Sequence, residues 1–145
     1  MVKPMRIHFI TLGVSDMQRA ANFYSDVLGF KILKKTPVIT FFDNGGMVLG
    51  VYPIQQLNAL TGASFETVSP SSTGILLSHN VQNENDVDAW VNKLKNEKVK
   101  ILKEAQPAVW GGRHAFFSDP DGYSWEICWN PKLIPDEFEH LPLVN

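Results

Sequence analysis

The chain predicts an α+β fold built from two βαβββ units. Three observations carry that expectation. IHFITLGVSD and GILLSHNVQNEND read as the same opening strand, written twice. A stretch of helical period follows each. FFDNGGMVLGVYP and FFSDPDGYSWEICWNP then read as the same closing segment, each turning on glycine into a final strand. A repeat of this length is a structural unit. Two such units are expected to set two half-sites facing across one cavity, with repeats at 5–52 and 74–131, a linker at 53–73 and a tail at 132–145.

Residues 6–14 alternate as a strand, with Ile10, Leu12 and Val14 on one face and Phe9, Thr11 and Gly13 on the other. Ser15 is the expected N-cap, with Gln18 completing a capping box. Met17, Ala20, Ala21, Tyr24, Val27 and Leu28 recur at helical spacing and form one apolar stripe. Gly29 is placed to end the helix, and Phe30 to pack back on it. Strands are expected near 30–34 and 38–42. Asp43-Asn44-Gly45-Gly46 supplies a hairpin turn into a strand over 47–52. In the linker, Ile54 to Leu60 reads as a helical turn or two. Thr61 to Thr73 reads as an exposed loop or a flap over the cavity.

The second unit opens with a strand at 74–81 and a helix at 84–97. That helix carries Val87, Trp90, Val91 and Leu94 as its stripe, with Asp86 and Asp88 near its start and Lys93, Lys95 and Lys98 near its end. Strands are expected near 99–104, 113–118 and 123–129, the last two joined by Asp119-Pro120-Asp121-Gly122. The proline-rich, acidic tail is expected to wrap the surface or a partner subunit.

The 145 residues suit one ordinary domain, with 44% hydrophobic residues to build a core. A net charge of −2, with Lys and Arg scattered, gives no footprint for nucleic acid. No apolar run reaches a membrane span, and the start of the chain has no apolar signal segment. The single cysteine, Cys128, excludes an intrachain disulfide framework. A cytoplasmic protein is the expectation.

TLGVSDMQRAANFYSDVLGFK and WGGRHAFFSDPDGYSWEICWNP resemble the opening and closing signatures of the vicinal oxygen chelate superfamily. That superfamily includes glyoxalase I, bleomycin- and fosfomycin-resistance proteins and extradiol dioxygenases. The resemblance spans roughly residues 5 to 131. It implies a curled mixed sheet, a half-open barrel around a site, in a single domain that pairs as a homodimer. It also implies a divalent metal on the first and last strands of each unit. Carried over residue by residue, those positions are Phe9, Gly50, Leu76 and Glu126. Only Glu126 is a metal donor, and a catalytic zinc needs about three protein ligands. No metal is therefore expected at the usual place, and a divalent ion only at a non-standard one. His8 and His79 are each offset from the inferred cavity face, since one residue turns a strand side chain over.

Glu126 shares its face with Ser124 and Cys128. The resemblance puts His114 on the cavity side of the preceding strand, so His114 and Glu126 are the expected pair for acid–base work or for holding a polar ligand. Phe9, Val48, Tyr52, Leu76 and Phe116 fall on the same inferred face and describe an apolar, aromatic lining. Trp110 is placed to stack on a planar ligand or cap the site. Cys128 either lines the pocket or is simply buried. Arg113 is expected to be exposed or to meet an anion. These features suit a small-molecule binding protein of the bleomycin-resistance kind. A glyoxalase-type lyase or isomerase is the alternative, using a non-standard metal site or metal-free chemistry at Glu126 and His114. A module whose cavity is filled by Phe9 and Leu76 is a third reading.

Overall fold

In a computed structural model, residues 2–63 and 74–142 are described. The chain divides into two compact units, Met1–Val68 and Ser69–Asn145. Each is a four-stranded mixed sheet with a helix on one face, so the α+β, twice-βαβββ expectation holds.

The first unit runs β1 (Phe9–Val14), α1 (Met17–Asn22), β2 (Ile32–Lys35), β3 (Thr40–Asp43) and β4 (Val48–Pro53), followed by α2 (Ile54–Thr61). Its strand order is β1-β4-β3-β2, with β1 and β4 parallel. Leu12 and Val14 of β1, Leu49 and Val51 of β4 and Phe42 of β3 are buried with Ala20, Ala21 and Tyr24 of the helical segment. The opposite face carries Phe9, Thr11, Val48, Gly50 and Tyr52.

The helix cap differs from expectation. Asp16, not Ser15, is the N-cap, and its Oδ1 accepts the Arg19 N–H at 2.9 Å. Gln18 donates to Asn22 Oδ1 instead of closing a box on Ser15. A carboxylate one residue nearer the helix accepts the orphan amide more strongly than a hydroxyl. After Asn22 the helix widens into a π-helical turn over Phe23–Val27. The extra residue rotates the apolar stripe, so Phe23 is buried and Val27 and Leu28 are only half-buried. Gly29 then takes φ +82°, and the Phe30 N–H donates to the Tyr24 carbonyl at 2.9 Å. The two rings lie 6.0 Å apart, so Phe30 packs back on the helical segment as expected.

The second unit runs β5 (Leu76–Asn80), α3 (Glu84–Asn96), β6 (Lys100–Pro107), β7 (Arg113–Ser118) and β8 (Ser124–Trp129). Its order is β5-β8-β7-β6, the same topology as the first. Val87, Val91 and Leu94 of α3 are buried with Ala115, Phe117, Trp125 and Ile127. Trp90 is only half-buried, at the margin of that stripe. The Asp119–Gly122 turn is held from inside: Asp119 Oδ1 accepts the N–H groups of Asp121 and Tyr123 at 2.9 and 2.8 Å. The tail lies along its own unit, where Asn80 Nδ2 donates to the Leu133 carbonyl and Gln82 Nε2 to those of Pro135 and Asp136. Most of the expected loop or flap at 61–73 lies outside the described residues.

Candidate functional site

Parallel pairing of β5 with β8 sets Ser78 opposite Glu126, and antiparallel pairing of β7 with β8 sets Phe116 opposite Glu126 and His114 opposite Cys128. Leu76, Ser78, Glu126, Cys128, His114 and Phe116 therefore share the sheet face away from α3. The Ser78 hydroxyl donates to Glu126 Oε1 at 2.9 Å, and His114 Nδ1 lies 3.1 Å from Glu126 Oε2. The His114 and Glu126 side chains are 18% and 16% exposed, so solvent screens the pair only weakly.

A carboxylate is acceptor-only. With Glu126 ionised, Nδ1 is the protonated nitrogen of neutral His114, and Nε2 carries the free lone pair. His114 is flanked edge-on by Phe116 at 4.8 Å and Trp110 at 6.0 Å between ring centroids. The outcome is a polar anchor set among aromatic rings on one sheet face.

The Trp110 ring packs against the residue two positions on. A Cβ at Gly112 would fall on the Trp110 ring and on the Trp129 carbonyl oxygen. The Gly112 backbone is not left-handed, so the glycine is there for space. Cys128 is buried, and burial together with the Glu126 charge pushes its thiol up to about 11. It packs as a small apolar group and is no thiolate at neutral pH.

In the first unit, Phe9 stands opposite Val48 and Gly13 opposite Tyr52 in the parallel β1–β4 register. Phe9 is 53% exposed, and its ring meets Phe41 edge-on at 5.5 Å. Gly50 lies under that ring, where an added Cβ would be 3.2 Å from Phe41 Cδ1. Phe9, Phe41 and Gly50 pack together on their own sheet.

His8 precedes β1 and is exposed. His79 faces α3, with its ring 5.9 Å from Trp90. Arg113 corrects the sequence reading. It is neither free in solvent nor on an outside anion, but makes a bidentate pair with Asp88 of α3 at 2.7 and 2.8 Å. Arg113 alternates with His114 along β7, so its side chain is turned to the helix side. Its one-residue offset from His114, which the resemblance puts on the cavity side, was the signal available for Arg113.

The four positions carried over from the resemblance do not fit a metal. Phe9 and Leu76 offer hydrocarbon, Gly50 offers nothing, and both oxygens of Glu126 are already engaged. Among the described residues, no group of three or more His, Cys, Asp or Glu side chains converges. Ser78 is the site residue that sequence reasoning missed. Its signal was strand register: two residues past Leu76 on the same face, beside Glu126 once β5 and β8 pair in parallel.

A doubled βαβββ unit with its polar anchor on the last strand defines a class. The family model described as Glyoxalase/Bleomycin resistance protein/Dioxygenase superfamily matches residues 6–127, and the chain belongs to that family. It is similar to metallothiol transferase FosB of Staphylococcus haemolyticus, at 29% identity over 83% of this chain and 81% of that protein. It is also similar to lactoylglutathione lyase GLX1 of Arabidopsis thaliana, at 28% identity over 84% of this chain but 43% of that protein. Among solved structures it resembles a glyoxalase-related enzyme from Fulvimarina pelagi. There the TM-score is 0.87 at 27% identity, covering 98% of this chain and all of the other. No described helix is long and apolar enough to cross a membrane.

Proposed function

We propose that this protein binds a small, partly apolar or aromatic molecule on the face carrying His114 and Glu126, without the family's usual metal chelate. One observation carries the reading: Glu126, the sole donor among the carried-over positions, has both oxygens engaged by Ser78 and His114. A carboxylate committed in this way orients an imidazole, and that imidazole meets the ligand. Phe116, Trp110 and Leu76 supply the apolar contacts of such a site. Phe9, Val48 and Tyr52 are proposed as an apolar ligand-contacting face of the first unit, considered by itself, and the protein is proposed to be a cytoplasmic homodimer.

Elemental analysis of protein purified without a metal-affinity tag tests the metal half of this reading. We expect no stoichiometric divalent metal, before or after incubation with Mn²⁺, Ni²⁺ or Zn²⁺. A stoichiometric ion would overturn it. Thermal-shift and calorimetric titration with a panel of aromatic compounds tests the binding half. A ligand that binds the wild type and binds His114→Ala more weakly supports the reading.

A second reading is enzymatic, and the Nδ1–Glu126 contact favours it. His114 Nε2 makes no hydrogen bond among the described residues. It would accept a proton from a bound O–H or acidic C–H, while Glu126 stabilises the imidazolium that forms. The relatives named as a transferase and a lyase suit this alternative, and turnover by the metal-free protein would establish it.

A further inference from the structure

A cavity lies on the helix side of the second unit, opposite the His114–Glu126 face. Its volume is about 480 Å³, and its walls come from the end of β5, one side of α3 and the tail. His79, Trp90, Lys93 and Glu139 line it, with Val81 and Ala89 as apolar wall. It shares no residue with the His114–Glu126 face.

The chemistry of these walls is specific. Lys93 Nζ stands 4.8 Å from the centre of the Trp90 ring, a cation–π placement. Neither Lys93 nor Glu139 forms an ion pair among the described residues. The two opposite charges thus line one cavity without neutralising each other. Asp86, the third charge, is already engaged, since its Oδ2 accepts the Asn83 N–H at the start of α3. The His79 ring makes no hydrogen bond among the described residues, although it is half-buried and packed on Trp90. Burial lowers its pKa, against the raising effect of the Glu139 charge, so the ring is neutral near pH 7. A neutral imidazole offers one donor and one acceptor to whatever enters.

We infer that this helix-side cavity is a second binding site, for a small zwitterion carrying an aromatic or apolar body. Its carboxylate pairs with Lys93, its ammonium pairs with Glu139, and its body packs on Trp90, Val81 and Ala89. A singly charged molecule meets one of the two wall charges and leaves the other unmatched. Electrostatic complementarity of this sort discriminates between ligands more than it adds affinity. Salt weakens the binding, because both wall charges are near solvent.

The test uses the full chain labelled with ¹⁵N and three probes of similar body: L-phenylalanine, 2-phenylethylamine and 3-phenylpropanoate. We expect L-phenylalanine to move the Trp90 indole and the amides around His79 and Lys93. Each singly charged probe should bind at least about tenfold more weakly, a difference of ~1.4 kcal/mol. Lys93→Gln should erase the advantage over 2-phenylethylamine, and Glu139→Gln the advantage over 3-phenylpropanoate. Both are exposed side chains, and a melt of each variant checks that the fold is intact. The inference fails if no signal moves by about 10 mM probe, the weak end of specific binding. It fails equally if all three probes bind alike, or if the only signals that move belong to the His114 face. That last pattern would support the proposed function while removing this site.

Discussion

His114 Nδ1 lies 3.1 Å from Glu126 Oε2 across two neighbouring antiparallel strands, on the diagonal of their register. The Ser78 hydroxyl completes the carboxylate from the other side at 2.9 Å. The arrangement fixes the imidazole by its inner nitrogen. His114→Ala should therefore leave the fold intact and weaken binding of an aromatic ligand by about tenfold, the worth of a hydrogen bond in a partly buried site. Calorimetry measures it, and unchanged affinity rejects the role of His114.

Glu126→Gln is the sharper variant. The amide keeps the shape but has one acceptor where the carboxylate has two, so it cannot accept from both Ser78 and His114. A loss of about 1–2 kcal/mol in stability is expected, together with weaker binding. A far larger loss of stability with unchanged binding would make Glu126 a structural carboxylate.

The resemblance put His114 on the cavity side of its strand, and the period-two alternation of strand side chains set it on the face of Phe116. Ser78 shares the Leu76 face by alternation, but its place beside Glu126 depends on how β5 registers with β8, and two strands far apart in sequence carry no local mark of register. The same limit hid Arg113–Asp88, a contact between a strand and a helix. The π-helical turn at Phe23–Val27 was illegible for another reason: a hydrophobic stripe of period 3.6 reads the same until one inserted residue rotates it. Gly29, Gly45, Gly46 and Gly122, by contrast, stand where the sequence puts turns, each with a positive φ.

The Arg113–Asp88 pair makes a pH prediction. The Arg113 hydrogen bond holds the Asp88 carboxyl below its ordinary value of 3.8, despite an opposing burial effect. A depressed carboxylate contributes stability that is full above the unfolded value and lost as pH falls through the folded one. Asp88 is 47% exposed, so solvent limits the contribution. Asp88→Asn should cost about 0.5–1 kcal/mol at pH 7, and less in high salt. Urea melts of the two proteins should converge as pH drops below 3.8. A difference that persists at low pH would mean that packing, not charge, joins the two side chains.

Cys128 gives the opposite sign at the other end of the scale. Its thiol rises from 9.0 to about 11 in the folded protein, by burial first and by the Glu126 charge second. The folded state therefore keeps a proton that the unfolded chain has released. Stability from this group is flat below pH 9.0 and falls as pH climbs from there to about 11. Lysines and tyrosines titrate in the same range, so the comparison is with Cys128→Ala. The alanine variant should lose less stability over that window. In the native protein a thiol reagent should react no faster than the chain opens. Rapid labelling at neutral pH would show a reachable thiolate and make Cys128 available to a ligand on the face that it shares with His114 and Glu126.

Gly112 is the position where a small change should have the largest local effect. Its φ is not positive, yet a methyl group there would collide with the Trp110 ring and the Trp129 carbonyl oxygen. The ring can swing away; the carbonyl sits in the hairpin and cannot. Gly112→Ala should destabilise by about 1–3 kcal/mol, the usual cost of overpacking. It should also move Trp110 off His114, which tryptophan fluorescence reports. Trp110→Ala separates the two clashes. In that background the alanine at 112 still meets the carbonyl but no longer meets the ring, so its cost should shrink. The shortfall from additivity then measures how strongly the Trp110 ring resists displacement from beside His114. Full additivity would mean that the ring yields freely, and that nothing in this loop holds an aromatic wall for a ligand.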